Sequence, residues 1–282
     1  MTEKAKIFID INNSIGKVDR LKKTNIFSNI DNLIERVDRF KIEPLFSEEK
    51  SKREDKSVSP LLDDNEILRT LSHLIAYSQF SDSEIVERLL KSGKYDNVFD
   101  NFNIERVVKM NPCDIVDNHW ESLKGIRQQT KLFHIVSLAR KIKQIGSFAI
   151  ILNGMNIPKT IKSGNDIKDF WIGFDKLLAT LKDNKIPLLQ STIPLLHFLL
   201  DIGYDCVKPD LGIMKVAKKL EIVDYVTGDK NFRQTVRIIQ EYSLSRQIRP
   251  SIVDFYFLIS EKQSGARKFV SEEFYAQQKT RI

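Results

Sequence analysis

The chain has 282 residues, of which 41% are apolar, and a formal net charge of +7. This composition is sufficient for one or two packed domains and excludes disorder throughout the chain. The positive charge favours polyanionic partners, although many basic proteins bind none. The sequence contains no apolar run long enough to span a membrane and no apolar leader, so we expect a cytoplasmic protein without membrane contact.

Cysteine and histidine are both scarce. The two cysteines, Cys113 and Cys206, are too few for a disulfide framework or a thiolate cluster, and we expect both to be reduced. The four histidines lack the paired spacing that zinc sites use. We therefore expect neither a metal nor a cofactor.

Helical spacing of apolar residues recurs along most of the chain, whereas strand signals are limited to short apolar runs at 7–11 and 148–152. The pattern predicts an all-α fold, with two helical subdomains flanking a cleft. The polar stretch 45–65 has prolines near both ends and predicts a linker or mobile loop. We divide the chain into residues 1–60, an N-terminal helical segment with a polar linker, and residues 61–282, the main body.

The main body begins with an amphipathic helix whose apolar face runs through residues 67–75, with Asp64 as its N-cap. A second helix is predicted over residues 85–90, ending near Gly93, and a third over residues 104–110.

The next helix, marked by apolar residues 132–142, is clearly amphipathic, and Glu121 is the one acid opposing its basic residues. Its approach and polar face carry Lys124, Arg127, Lys131, Arg140, Lys141 and Lys143. Such a face could bind a polyanion, or it could be an ordinary solvated surface.

Two further helices are marked by apolar residues 174–181 and 193–200, and the segment 183–190 joins them. A short turn of this kind brings the start of the second helix to the surface, where backbone N–H groups and the positive end of the helix dipole can hold a phosphate. Pro194 suits the first turn of that helix. Side chains that could contribute to DNA binding there are Lys185, Gln190, Ser191 and Thr192. An ordinary helical hairpin is the alternative.

A new helix is predicted after this hairpin. Gly203 suits the C′ position of the preceding helix, and Asp210 stands at the N-cap position before apolar residues 213–220. Lys208 and Lys215 give the carboxylate a cationic neighbourhood, which favours the charged acid that glycosidic chemistry needs. An aspartate that only caps a helix, worth about 1 kcal/mol, is the alternative.

The segment 186–190 followed by Asp210 resembles the helix-hairpin-helix DNA glycosylase superfamily. In that family a hairpin of Leu-Pro-Gly-(Val/Ile)-Gly type opens a helix, and the catalytic aspartate follows about two dozen residues after the leucine. The hairpin positions are occupied here by Ile186, Pro187, Leu188, Leu189 and Gln190. Both glycines of the motif are absent, and with them the close backbone approach that glycine permits.

Upstream residues are similar in order and spacing to the type I 3-methyladenine DNA glycosylases, and this resemblance spans residues 68–220. The matching residues are Tyr95, Phe99, Phe102, Ile126, Arg127, Lys131, Ala139 and Arg140. Gln79 matches a glutamine of that family's base pocket, whereas Tyr77 stands where its pocket acid is expected. The cysteine and histidine set of its zinc clasp is absent.

The resemblance implies a monomeric enzyme that flips a base out of double-stranded DNA. Asp210 would stabilise the oxocarbenium-like sugar or orient a water. The lysine of bifunctional members would fall at Thr192, which cannot form a Schiff base, so we expect a monofunctional enzyme that leaves an abasic site. Side chains that could stack on the base, read it or fill the gap are Tyr77, Gln79, Phe80 and Trp120. Core packing is the alternative for the three aromatic residues.

Two other functions remain open at this stage. The chain could be a non-catalytic helix-hairpin-helix DNA-binding protein, or a helical scaffold whose basic face binds an acidic protein. For the enzyme, both an alkylated purine and a naturally modified base are compatible substrates.

Overall fold

The computed structural model describes residues 20–56, 62–78, 81–261 and 265–279. Within these ranges every regular element is a helix, and a single isolated bridge pairs Lys41 with Val270. The all-α prediction is therefore confirmed for this part of the chain. The apolar run at 7–11 lies outside the described residues, and the predicted cleft stays a prediction. Among the described helices, none combines the length and apolar character needed to cross a bilayer.

The helices are, in chain order, α1 (Arg20–Asp38), α2 (Leu45–Asp55), α3 (Asp64–Tyr77), α4 (Ser83–Lys91), α5 (Lys94–Val98), α6 (Ile104–Val107), α7 (Pro112–Leu123), α8 (Thr130–Gln144), α9 (Phe148–Gly154), α10 (Gly164–Asp183), α11 (Thr192–Asp201), α12 (Leu211–Lys219), α13 (Asp229–Arg246), α14 (Pro250–Ser260) and α15 (Glu272–Lys279). Short 3-10 turns cover Asp100–Phe102, Lys124–Ile126 and Arg267–Phe269.

The described chain forms two compact units. One comprises residues 20–55 together with 206–279, and the other comprises residues 56–205. The first unit is discontinuous in sequence, because the chain leaves it after α2 and returns to it before α12. The predicted division at residue 60 stays a prediction.

The unit that contains both described ends of the chain is built around α14. Nearly every residue of α14 is buried, and the helix packs against α1, α2, α12 and α13. A helix that is apolar on all sides is stable only when other elements cover it, which is the position α14 has. Its rings of Phe255 and Tyr256 belong to a core that also includes Phe46 of α2.

The prediction of a linker or loop over residues 45–65 is wrong for its first half, because α2 occupies Leu45–Asp55. Phe46 anchors this helix, with its ring centroid 5.2 Å from that of Phe255. Arg53 adds an ion pair with Asp254 at 3.2 Å. The ring of Phe46 and the ion pair of Arg53 fix α2 against α14, although the composition of this segment alone is typical of a loop. The Glu, Lys and Arg residues of α2 are also good helix formers.

The second unit is organised around α3, which packs against α4, α8, α9 and α11. Its N-cap is Asp63, whose Oδ1 accepts hydrogen bonds from the N–H groups of Asn65 and Glu66, both at 2.9 Å. The predicted cap, Asp64, instead accepts from the N–H of Ala149 at 2.8 Å. The cap was therefore placed one residue too late. The short apolar run at 148–152 belongs to the helix α9, in agreement with the all-α prediction.

Candidate functional site

Asp210 is the N-cap of α12, as predicted. Its Oδ1 accepts hydrogen bonds from the N–H groups of Gly212 at 3.0 Å and Ile213 at 3.1 Å. Its Oδ2 lies 3.7 Å from the Nζ of Lys208, and the side chain is 26% exposed. The two backbone bonds fix the orientation of the carboxyl group and occupy one oxygen, while the second oxygen faces a cation.

Leu211, the first residue of α12, is 59% exposed and is not among the predicted site residues. Lys215 is also exposed and lies one helical turn further on, so the two side chains share a face of α12. The signal was present in the sequence, because Leu211 stands outside the apolar pattern of residues 213–220 that faces the core. An exposed apolar side chain thus directly follows the candidate catalytic carboxylate.

A second carboxyl group belongs to the same unit. Asp254 lies in α14, which packs against α12, and its side chain is buried against the guanidinium of Arg53 at 3.2 Å. Burial raises the pKa of Asp254 to about 6; Arg53 opposes this rise, and the charge of Asp210 adds to it. Sequence reasoning missed Asp254, although a lone acid in an otherwise apolar helix is a recognisable signal of a buried, perturbed group.

The predicted hairpin lies in the other unit, between α10 and α11. Lys185 and Leu188 both adopt positive φ, 52° and 71° respectively. Leu188 stands at the position of the motif's first glycine and has the left-handed backbone that glycine adopts readily. For leucine this conformation costs about 1 kcal/mol or more. The N–H of Leu189 donates to the carbonyl of Pro187 at 2.9 Å, which closes a tight three-residue turn.

The start of α11 differs from that of α12. Its N-cap is Ser191, whose side chain makes no capping hydrogen bond, and the first turn of the helix contains no acid. Lys185, Gln190 and Ser191 are exposed, whereas Thr192 is buried. The amide of Gln190 donates to the carbonyl of Ile186 at 3.1 Å, within the hairpin itself. The predicted phosphate-binding side chains are thus divided between solvent and the protein interior.

Two of the four predicted base-pocket residues can be placed. Tyr77 is the last residue of α3 and is partly exposed, and Trp120 is half-buried in α7. Burial raises the pKa of Tyr77, and the charges of Glu87 and Asp201 raise it further. The phenol therefore stays protonated near neutral pH and can donate a hydrogen bond. Gln79 and Phe80 lie outside the described residues.

Several residues of the basic face predicted on α8 have partners within the protein. Lys131 is buried, and Arg140 donates to the carbonyls of Val108 at 3.1 Å and Met110 at 2.9 Å. Lys124 pairs with Glu121 at 2.8 Å, and the ammonium of Lys143 pairs with the carboxylate of Glu105. Glu121 is therefore not the only acid that opposes this face, because Glu105 also does so, and the binding of a polyanion by this face stays a prediction.

Known proteins give no direct guide to the function of this chain. It matches no family model, no curated protein and no solved structure. Within the described ranges, His, Cys, Asp and Glu side chains form no group of three or more that could hold a metal ion. Function must therefore be inferred from the residues of the two units.

Proposed function

We propose that this chain is a monofunctional DNA glycosylase that acts as a monomer on double-stranded DNA. It would flip out a damaged or modified base, hydrolyse the N-glycosyl bond and leave an abasic site. The observation that carries the proposal is the geometry of Asp210, whose carboxylate is fixed at the start of α12 with one oxygen facing Lys208 at 3.7 Å. Such a group can stabilise the positive charge that develops on the sugar as the base leaves, or orient the attacking water.

Flipping a base costs a few kcal/mol, which contacts to the DNA must offset. We propose that the turn between α10 and α11 is the hairpin of a helix-hairpin-helix motif and that the first turn of α11 holds a phosphate through its backbone N–H groups. Lys208 and Lys215 would add cationic contacts to the backbone. Leu211, exposed beside Asp210, is suited to enter the gap that the base leaves, as apolar side chains do in other DNA complexes.

The extruded base needs a pocket that reads it. Tyr77 supplies an aromatic ring and a protonated phenol, so it can both stack and donate a hydrogen bond. Thr192 stands where bifunctional members of the helix-hairpin-helix DNA glycosylase superfamily carry a lysine, and a hydroxyl cannot form a Schiff base. The substrate class is an alkylated purine or a naturally modified base.

A non-catalytic DNA-binding protein is the second candidate, and one observation favours it. Asp63 caps α3 with hydrogen bonds of 2.9 and 2.9 Å, and Asp82 caps α4 with bonds of 3.0 and 3.2 Å. Asp210 makes the same kind of cap, with bonds of 3.0 and 3.1 Å. Capping alone would therefore account for an aspartate at this position.

Asp210→Asn separates the two candidates. Asparagine caps a helix as well as aspartate does, so the substitution removes the charge and keeps the fold. For a glycosylase, DNA affinity should stay within about twofold while base release, measured as alkali-labile sites, falls by about 100-fold or more. Asp63→Asn is the matched control, because it makes the same change at the start of α3 and should leave base release unchanged.

Experiments on the wild-type protein separate a glycosylase from a non-catalytic DNA-binding protein and from a scaffold. A non-catalytic binder forms no alkali-labile sites in any damaged or modified DNA. A scaffold without a nucleic-acid partner gives no gel shift, whereas a DNA-binding protein gives one that weakens steeply with salt, because phosphate contacts release counterions.

A further inference from the structure

Lys131 of α8 departs from two local rules at once. It lies in the first turn of its helix, where a positive charge opposes the helix dipole. Its side chain is also only 1% exposed, although lysine is almost never fully buried without a partner. Departures of this kind occur mainly at functional or strained sites, which makes the partners of Lys131 informative.

The ammonium of Lys131 binds three oxygen atoms near the carboxyl end of α3. It donates hydrogen bonds to the carbonyl of Ala76 at 3.0 Å, to the carbonyl of Ser78 at 2.6 Å and to the Oγ of Ser81 at 2.7 Å. All three N–H bonds of the ammonium are thereby used. The Ser81 hydroxyl in turn donates to the carbonyl of Ile126 at 3.1 Å. Lys131 therefore acts as a C-terminal cap for α3, where carbonyls lack helical partners and a cation is favourable.

The positive charge of the Lys131 ammonium lies in an energetically unfavourable, buried environment. The three acceptors are uncharged oxygens, so no carboxylate among them neutralises the ammonium. Burial lowers the pKa of Lys131 to about 8, and the charge of Arg127 also contributes. A buried charge without an ion pair is a poor way to gain stability, whereas it is an effective way to fix one geometry.

Tyr77 stands between two of the three residues that bind the Lys131 ammonium. The carbonyls of Ala76 and Ser78, on either side of it in sequence, both accept from the same ammonium. We infer that Lys131 is a positioning residue: it fixes the end of α3 so that Tyr77 is presented to a flipped base in one orientation. This inference rests on the proposed function. A displacement of about 1 Å at a substrate-contacting group can reduce a rate by up to about 100-fold, so a rigid support for Tyr77 has a catalytic consequence.

Lys131→Met tests this role, because methionine fills a similar volume without the charge or the hydrogen bonds. We expect the single-turnover rate of base release at saturating DNA to fall about tenfold, with the Kd for DNA within about twofold of wild type. Lys168→Met is the matched control: it makes the same change at an exposed lysine of α10 in the same unit, and it should change neither quantity. Ser81→Ala, which removes one acceptor and keeps the charge, should lower the rate by about threefold.

A wild-type rate in Lys131→Met would overturn the inference, as would a loss of DNA affinity in step with the rate, which indicates general damage to the fold. Amide hydrogen exchange without DNA tests the support independently of catalysis. Exchange over residues 74–78 should accelerate about tenfold in Lys131→Met and stay unchanged over residues 250–260. Unchanged exchange at 74–78 contradicts the role of Lys131. A wild-type protein that releases no base contradicts the proposed function instead, and the exchange result then decides on Lys131 alone.

Discussion

The starts of α11 and α12 follow each other closely in the chain and are built in opposite ways. Ser191 begins α11 without a side-chain capping bond, after a turn in which Lys185 and Leu188 have positive φ. Asp210 begins α12 with two capping bonds from its carboxylate. The backbone N–H groups at the start of α11 are therefore suited to bind an anion from outside the protein. At the start of α12 the anion is the carboxylate of Asp210, which is fixed in one orientation. Under the proposed function, α11 would bind the phosphate and α12 would carry the chemistry.

Removing the cap itself should produce the largest effect. Asp210→Ala and Asp63→Ala each lose two backbone hydrogen bonds, so each should lower the free energy of unfolding by about 1 kcal/mol in urea titrations. Only Asp210→Ala should also reduce base release by about 100-fold or more. A similar loss of base release in Asp63→Ala would show that the effect arises from helix stability and would remove the distinction between Asp210 and the other caps.

The pH dependence of the free energy of unfolding tests the raised pKa of Asp254, which lies in α14, the helix that packs against α12. Because the pKa of Asp254 is raised from 3.8 to about 6, the folded protein binds more protons than the unfolded chain between these values. The contribution of Asp254 to the free energy of unfolding therefore falls as pH rises through this window and is constant above it. Between pH 4 and pH 7, wild type should lose on the order of 2 kcal/mol relative to Asp254→Asn.

Urea unfolding of both proteins at several pH values measures this difference. Asp210→Asn is an informative second background, because the charge of Asp210 contributes to the raised pKa of Asp254. In that background the pH-dependent difference should be smaller but still present. Parallel stability curves for wild type and Asp254→Asn would mean that Asp254 is not perturbed as described.

The strained hairpin before α11 predicts a smaller effect. Leu188 has a φ of 71°, which glycine adopts freely and a β-branched residue adopts least readily. We expect Leu188→Ile to be less stable than Leu188→Gly by about 1 kcal/mol, with DNA affinity at least as high in the glycine variant as in wild type. Equal stability of the two variants would show that the turn relaxes and that its backbone is not held at positive φ.

The smallest effects are expected for single surface cations. Lys208→Gln and Lys215→Gln should each weaken DNA binding a few-fold and reduce the slope of log affinity against log salt by about 1. Lys143→Gln is the control, because its ammonium already pairs with Glu105. Slopes that stay unchanged in both test variants, or that change equally in the control, would place the DNA backbone elsewhere on the protein.

Local rules predicted much of this fold correctly. Asp210 is the N-cap of α12, Gly203 follows the end of α11 with a φ of 97°, and Pro194 lies in the first turn of α11. Each of these assignments depends on a few neighbouring residues. The cap of α3 was misplaced by one position because Asp63 and Asp64 are chemically identical and only the fold decides which one bonds the helix.

The features that sequence reasoning missed depend on distant contacts. α2 is stable because Phe46 and Arg53 meet residues of α14 about 200 positions away. Lys131 matches the pattern of a solvated lysine, and only the position of Ser78 and Ser81 makes it a buried cap. Asp254 likewise becomes a perturbed acid through burial in the folded protein, with the charge of Asp210 raising its pKa further and Arg53 opposing the rise. Helical periodicity carries no information on such partners.

Mass spectrometry of the bases released from a panel of damaged and naturally modified DNAs tests the central claim most directly. Wild-type protein should release one class of free base and leave abasic sites, and Asp210→Asn should bind the same DNA without releasing it. If wild type releases nothing from any DNA in the panel, or if Asp210→Asn releases the base at the wild-type rate, Asp210 is a helix cap and not the catalytic carboxylate of a glycosylase.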